Sequence, residues 1–280
     1  MAGAPLTEVP LPEGAGATWI VDLAGGDLVT TWAQARDALA DLSLYPVAVS
    51  TWGLGDWPAA DLFSRFFYGD DSPPDAVIAR ARTLSVADAL GRFDRTDPWA
   101  AENWEDILEW QLGLTSRDYG SAPDPAALAD VERGDEPALE RRLMEWEEAL
   151  RPTDAPATSE SFGWFDPSDP VGLALVPVDD PCHAAAYLSF YGAEGAGGHE
   201  ALTRLMCSWE ERFGARLVAN WGTMLQFVAS SPAATLDDAF QLAVEHSRVA
   251  PCTTMLPGEG IRQLARHLWH GERWFLHERP

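Results

Sequence analysis

The residues best able to do chemistry are concentrated late in this sequence. All six histidines, His183, His199, His246, His267, His270 and His277, lie beyond residue 182. The three cysteines, Cys182, Cys207 and Cys252, share that stretch. Imidazole and thiolate together are the donors of a metal site. The cysteine count is odd and low and contains no CxxC spacing, so neither a disulfide framework nor a zinc pattern is expected. His267 and His270 stand i, i+3 on an expected final helix over 261–270, where both could face one ion. The competing reading is a solvated helix end whose dipole favours imidazolium. The sequence therefore predicts no bound metal and no cofactor, with His267 and His270 as the pair that would carry a metal if one bound.

For general acid–base work the best-placed pair is Glu245-His246, near the end of a helix and just before an irregular loop, with His183 as a further candidate. Neighbours on a helix diverge by about 100° and do not naturally share one substrate atom. A structural hydrogen bond is the competing role for His246. Cys252 follows Pro251 in a loop, and neither a base nor an oxyanion site can be placed beside it. No HExxH occurs, and no Gly-x-Ser-x-Gly. Gly53-Leu54-Gly55 follows a strand but runs into Asp56 and Pro58, which makes it a turn and not a dinucleotide fingerprint. All 19 basic residues are arginine. A chain without lysine forms no lysine Schiff base and supplies no P-loop or kinase lysine.

Charge narrows the partners. The 44 acidic residues leave a net charge of −25. Such a surface repels phosphates and anionic membranes, which argues against nucleic acid and against a membrane, and suits a basic protein partner. The acidity is uneven: residues 1–198 hold 35 acids and 11 arginines, whereas 199–280 hold 9 and 8. The segment 94–148 alone holds 16 acids and 5 arginines. A basic partner should therefore dock on the front two-thirds. Of the 13 tryptophans, Trp32, Trp104, Trp146 and Trp209 fall on core stripes. Trp52, Trp57, Trp164 and Trp221 fall in or beside expected loops and turns, where they could bind arginine or lysine side chains.

The elements that must position these groups follow from periodicity. Strands are expected over 18–24 and 46–51, with a helix over 31–42 between them. This β-α-β opening suggests adjacent strands in one sheet. Pro58 could start another helix. Asp97-Pro98 and Asp124-Pro125 are helix starts, and Gly113 is a stop. Over 137–150, Leu139, Leu143, Trp146 and Leu150 form one stripe with acids opposite. Residues 151–161 have linker composition. Then come a strand over 172–178, a short helix over 180–191, an amphipathic helix over 199–213, a hairpin around Gly222, a helix capped by Thr235 with Asp238, and a closing strand over 273–277. The fold class is α+β, mixed α/β, with small mixed sheets flanked by helices and an acidic helical middle. Its expected division is 1–150, a linker at 151–161, and a C-terminal domain at 162–280. The first residues show no signal-peptide pattern, and the apolar run at 171–178 is too short to span a bilayer, so a cytoplasmic location is expected.

The run Ser208-Trp209-Glu210-Glu211-Arg212-Phe213-Gly214-Ala215-Arg216-Leu217-Val218 resembles the C-terminal signature of the domain-of-unknown-function 4253 family, bacterial proteins common in actinomycetes. Trp209, Glu210, Arg212, Phe213 and Gly214 carry the motif, which couples a helix end to a strand start. The resemblance extends through Pro232, Thr235, Ala243-Val244-Glu245-His246 and Trp274-Phe275. One departure stands out. The family's Cys-Pro-Asp corresponds here to Ala250-Pro251-Cys252, so any chemistry carried by that tripeptide would be lost. The resemblance implies a fold and no activity. The leading expectation is thus a non-catalytic, immunity-like or regulatory binding protein for a basic protein. The alternative is a hydrolase or metal-assisted enzyme using Glu245, His246 or His183. The sequence leaves the oligomeric state open.

Overall fold

The computed structural model describes residues 6–10, 17–23, 25–51, 73–93, 102–150, 162, 164–167, 170–194 and 198–279. Trp52, Trp57, the Gly53–Gly55 turn, the start of the helix expected at Pro58, the Asp97-Pro98 start and the linker 151–161 lie outside them. In chain order the strands are β1 (Leu6–Pro10), β2 (Ala17–Asp22), β3 (Tyr45–Ser50), β4 (Val171–Val176), β5 (Ala215–Asn220), β6 (Met224–Ala229) and β7 (Arg273–His277). The helices are α1 (Leu28–Leu39), α2 (Pro74–Ala81), α3 (Val86–Arg92), α4 (Trp104–Tyr119), α5 (Glu136–Leu150), α6 (Gly198–Phe213), α7 (Leu236–Val249), α8 (Cys252–Met255) and α9 (Ile261–Leu268). Short 3₁₀ turns cover Pro125–Leu128, Pro181–Ala186 and Tyr191–Ala193, among others. The class is α+β, as expected.

The chain forms two compact units, and neither is a continuous run. One takes residues 1–93, 164–231 and 272–280; the other takes 94–163 and 232–271. The expected split into 1–150 and 162–280 groups the residues differently, because strands from both sides of 151–161 interleave in one sheet. Its order is β1-β2-β4-β3-β5-β6-β7. β2 and β3 are therefore not neighbours, contrary to the reading of the β-α-β opening. β4 lies between them, antiparallel to each. β3 in turn separates β4 from β5, pairing with β5 in parallel.

Both faces of this sheet are covered. Asp27 caps α1 through the Thr30 N–H at 2.8 Å, and Trp32 Nε1 donates to the Pro46 carbonyl at 2.9 Å. This lays α1 over Ala48, Leu173, Leu175 and Ala219. The irregularity between Leu217 and Ala219 sets Leu217 opposite Phe227 and Ala219 opposite Gln226, so these β5 residues, two apart, point to opposite faces. On the face of Phe227, Trp209 of α6 packs edge-on at 5.8 Å, and Phe213 meets Trp274 at 5.6 Å. At the other end of α6, Glu200 takes Arg92 at 2.6 Å, and Arg204 donates to the Leu84 carbonyl at 3.0 Å.

The second unit is helical. Trp104, Ile107, Leu128, Leu139 and Leu143 form its apolar cluster. α4 runs through Gly113 and ends at Gly120, whose φ of +74° only glycine adopts without strain. Leu150, expected inward, is 50% exposed, and Trp146 is half-buried. The larger departure concerns the acids of α5. Glu140 and Glu147 are fully buried. They stand seven residues apart, two helical turns along one stripe, and face Arg262 of α9, itself 0% exposed.

Arg262 Nε donates to Glu147 at 2.7 Å, and a terminal nitrogen pairs with Glu140. Its other terminal nitrogen reaches the Gln111 carbonyl and Thr115 Oγ1 of α4, each at 3.0 Å. Glu140 also accepts the Ile261 N–H at 2.8 Å, satisfying a free donor at the start of α9. Burial opposes the guanidinium charge, yet Glu140 and Glu147 more than offset this and hold its pKa above the ordinary value. Arg266 closes the set, 2.8 Å from Glu147 and 2.9 Å from Glu148.

Removing one member of a buried ion network strands the others without water. Arg262→Met should lower unfolding free energy by about 3–5 kcal/mol. The Arg262→Met/Glu140→Gln double variant should cost less than the two single changes summed, because they share one interaction. Urea unfolding followed by circular dichroism measures both quantities. Strict additivity would show that the network is not coupled.

Candidate functional site

The residues singled out by sequence fall into both units. Glu245 and His246 close α7 and are buried, at 8% and 0% exposure. The helix they end is capped as expected, Thr235 Oγ1 accepting the Asp238 N–H at 3.1 Å. His267 is on α9 and packs against Phe162 at 5.6 Å. His270 is not on that helix. α9 stops at Leu268, and His270 takes φ +63° while its N–H bonds to the Ala233 carbonyl at 3.2 Å. The expected i, i+3 pair is therefore not formed: the pairing of Ala233 with Trp269 turns the chain away before His270.

Two of the four loop tryptophans are described, and both are half-buried. Trp221 donates through Nε1 to Gln226 at 2.7 Å and meets Phe165 edge-on at 6.1 Å. Trp164 lies under Arg273, 5.3 Å from its guanidinium. Among the described residues, the tryptophan that faces solvent is Trp110 of α4, at 40% exposure. Sequence reasoning passed over it because its neighbours Ile107, Leu108 and Leu112 carry the helix's apolar period. The signal that could have found it is its phase: Asp106 and Glu109 beside it mark the solvent side.

The signature around Trp209 builds a corner. Trp209 is buried, Phe213 nearly so, and the Arg212 guanidinium lies over the Phe213 ring at 4.6 Å. Gly214 then turns the chain at φ +60°, its N–H bonded to the Glu210 carbonyl at 2.8 Å. A Cβ at Gly214 would lie 2.0 Å from Ser230 Oγ. Across the turn Glu210 forms an ion pair with Arg216 at 2.8 Å.

That ion pair adjoins the main concentration of reactive side chains in the sheet unit. Asp180 caps the 3₁₀ turn Pro181–Ala186, its carboxylate accepting the Cys182 N–H at 3.2 Å. Cys182 and Cys207 of α6 are joined as a disulfide, although the odd, low cysteine count suggested no disulfide framework. They lie 25 residues apart, on elements that only the packing of the turn against α6 brings together. Ligand atoms of Cys182, His183 and Cys207 lie within 4.8 Å of one another, as do those of Asp180, Cys182 and Glu210. Burial lowers the pKa of His183, favouring neutral imidazole. It raises that of Glu210, against the pull of Arg216.

Beside this cluster a cleft of about 450 Å³ opens between α1 and the turn, lined by Arg36, Asp37, Tyr45, Asp179 and Arg216 among others. Its arginines are already engaged, Arg36 with Asp37 at 2.7 Å and Arg216 with Glu210. The Tyr45 hydroxyl donates to the Leu217 carbonyl at 2.7 Å, and burial pushes its pKa far up, so it stays protonated. The cleft thus offers hydrogen-bonding edges of both signs and little net charge.

With this geometry in view, residues 172–277 match the family model described as Domain of unknown function (DUF4253). The match begins in β4 and ends with β7, and it contains the Trp209–Gly214 corner, the Cys182–Cys207 pair and α7. It leaves out β3, the strand that joins its β4 to its β5. No curated protein and no solved structure matches the chain. Among the described residues, no helix is long and apolar enough to cross a membrane.

The corner is a structural device and can be tested as one. Gly214→Ala places a Cβ in left-handed backbone and against Ser230. It should cost about 1–3 kcal/mol of stability, read by chemical denaturation. A variant as stable as the parent would show that the helix-to-strand turn does not need glycine.

Proposed function

We propose that this protein is a non-catalytic binding protein of the bacterial, actinobacterial cytoplasm, and that it engages a basic protein through the exposed acidic face of α4 around Trp110. The observation that carries this reading is the division of the acidic residues between interior and surface. Glu140 and Glu147 are consumed internally by arginines, whereas Glu102, Glu105, Asp106 and Glu109 are exposed. Asp106 and Glu109 flank Trp110 on the same side of the helix. Among the described residues, Glu105 is the member of this group that meets a cation, Arg133 at 2.7 Å.

An indole ring bordered by carboxylates suits an arginine side chain. The guanidinium can stack on the ring face while its N–H groups reach the acids. Further exposed acids at Asp124, Asp130, Glu132 and Asp135 extend the negative surface of this unit. They would raise the association rate of a cationic partner more than its final affinity. The acidic middle segment, with 16 acids and 5 arginines over residues 94–148, is consistent with such a role.

Calorimetric titration with an arginine-rich helical peptide tests the reading. The parent protein should bind at low salt, with affinity falling steeply as salt is raised. Asp106→Asn, Glu109→Gln and Trp110→Ala combined should weaken binding at least tenfold, equivalent to about 1.4 kcal/mol. Unchanged affinity in the triple variant would remove α4 as the docking face.

A further inference from the structure

The sheet unit holds a group of side chains that binding to a basic protein does not use. Cys182 and His183 sit on one 3₁₀ turn, and Cys207 sits on the helix packed against it. Their ligand atoms converge to within 4.8 Å. Cys182 and His183 are buried at 5% and 8% exposure, and Cys207 is half-buried, so the donors meet under the surface and not on it. Glu210 follows Cys207 by three residues, one helical turn, and its carboxylate shares the same reach of Cys182 with Asp180. Asp180 is occupied in capping the turn. Two thiolates, an imidazole and a carboxylate are a donor set for a soft, tetrahedral divalent cation.

We propose that Cys182, His183 and Cys207 form a redox-gated zinc site, closed as the disulfide and opened when a dithiol reductant reduces it, with Glu210 supplying the fourth ligand. The opening step balances as a thiol–disulfide exchange. A thiolate of the reductant attacks one sulfur, the S–S bond breaks, and the second reductant thiol releases the mixed disulfide. The protein ends with two thiols and the reductant with one disulfide. Zinc then binds both sulfurs as thiolates, and two protons leave to solvent.

Tetrahedral ligands at the usual zinc–sulfur distance stand about 3.8 Å apart, so the two sulfurs must separate once the bond opens, and Glu210, which reaches Cys182, must also approach His183 and Cys207. Glu210 must exchange its ion pair with Arg216 for the metal. Arg216 lines the neighbouring cleft, so metal binding also alters the charge of that cleft. In a reducing compartment the zinc form would prevail; in the reverse exchange a disulfide oxidant accepts the two electrons of the thiolates and leaves as a dithiol, the protein S–S bond re-forms, and the zinc ion is released.

The test uses the full-length protein without a histidine tag and zinc alone as the probe. Reduced and oxidised samples are equilibrated against a chromophoric zinc chelator, with cobalt substitution reporting the ligands. The reduced protein should take up a single zinc per chain, and the oxidised protein none. The cobalt form should show thiolate-to-metal charge transfer and tetrahedral d–d bands. His183→Gln leaves the disulfide able to form and should weaken zinc binding by about tenfold or more. Cys252→Ser should change nothing. Cys207→Ser should abolish uptake; if it fails to fold, His183→Gln and the cobalt spectrum still decide. The proposal is overturned if the reduced protein competes for no zinc, if oxidised and reduced forms bind it equally, or if His183→Gln binds as tightly as the parent.

Discussion

The helical unit depends on one buried ion network centred on Arg262. Arg262 draws α4, α5 and α9 together through Gln111, Thr115, Glu140 and Glu147, and it does so where water cannot compensate a missing partner. Such a network adds little net stability over a well-packed apolar core, but it penalises any alternative arrangement heavily, since each misplacement leaves a buried charge alone. This fixes the rotation of α5 about its axis. With Glu140 and Glu147 turned inward and α4 clamped by the same guanidinium, the face of α4 that carries Asp106, Glu109 and Trp110 is left to solvent.

The acidity of the chain therefore has two origins. Part of it belongs to the interior, where two glutamates are neutralised by Arg262 and Arg266. Glu245, Glu259 and Glu278 are buried as well, whereas Glu102, Glu105, Asp106 and Glu109, on and just before α4, are exposed. Counting acids along the sequence merges the two and overstates the surface. Separating them leaves an exposed acidic stretch of α4 that includes Trp110. The sheet unit is organised differently. There the charges near the cleft are paired in place, and the reactive groups are a cysteine pair with a histidine beside it.

Most of the elements were legible because local period sets them. The Thr235 cap, the turn at Gly222, the amphipathic run of α6 and the closing strand all lie where their patterns put them. What escaped was what depends on distant partners. An acid on an amphipathic helix reads as solvent-facing until its partner is known, and the arginine that buries Glu140 comes 122 residues later. The β-α-β opening reads as two neighbouring strands, and nothing local shows that β4 will insert between them. Gly113 looks like a helix stop, but the chain closes its helix at Gly120. Of the candidate site, His183 and Glu210 were visible singly, one as a histidine and the other as part of a motif. Their meeting at Cys182 required the turn to pack on α6, which no spacing announces.

The central claim is that the exposed face of α4 is where a basic partner docks, and amide hydrogen exchange measures it most directly. The protein is compared alone and with a saturating arginine-rich peptide at low salt. The account predicts that protection rises over residues 104–119, with the largest gain around Glu109 and Trp110, and that it disappears when salt is raised. Protection that appears instead around Asp179–His183 and Arg216, or spreads evenly over the acidic residues, would contradict it.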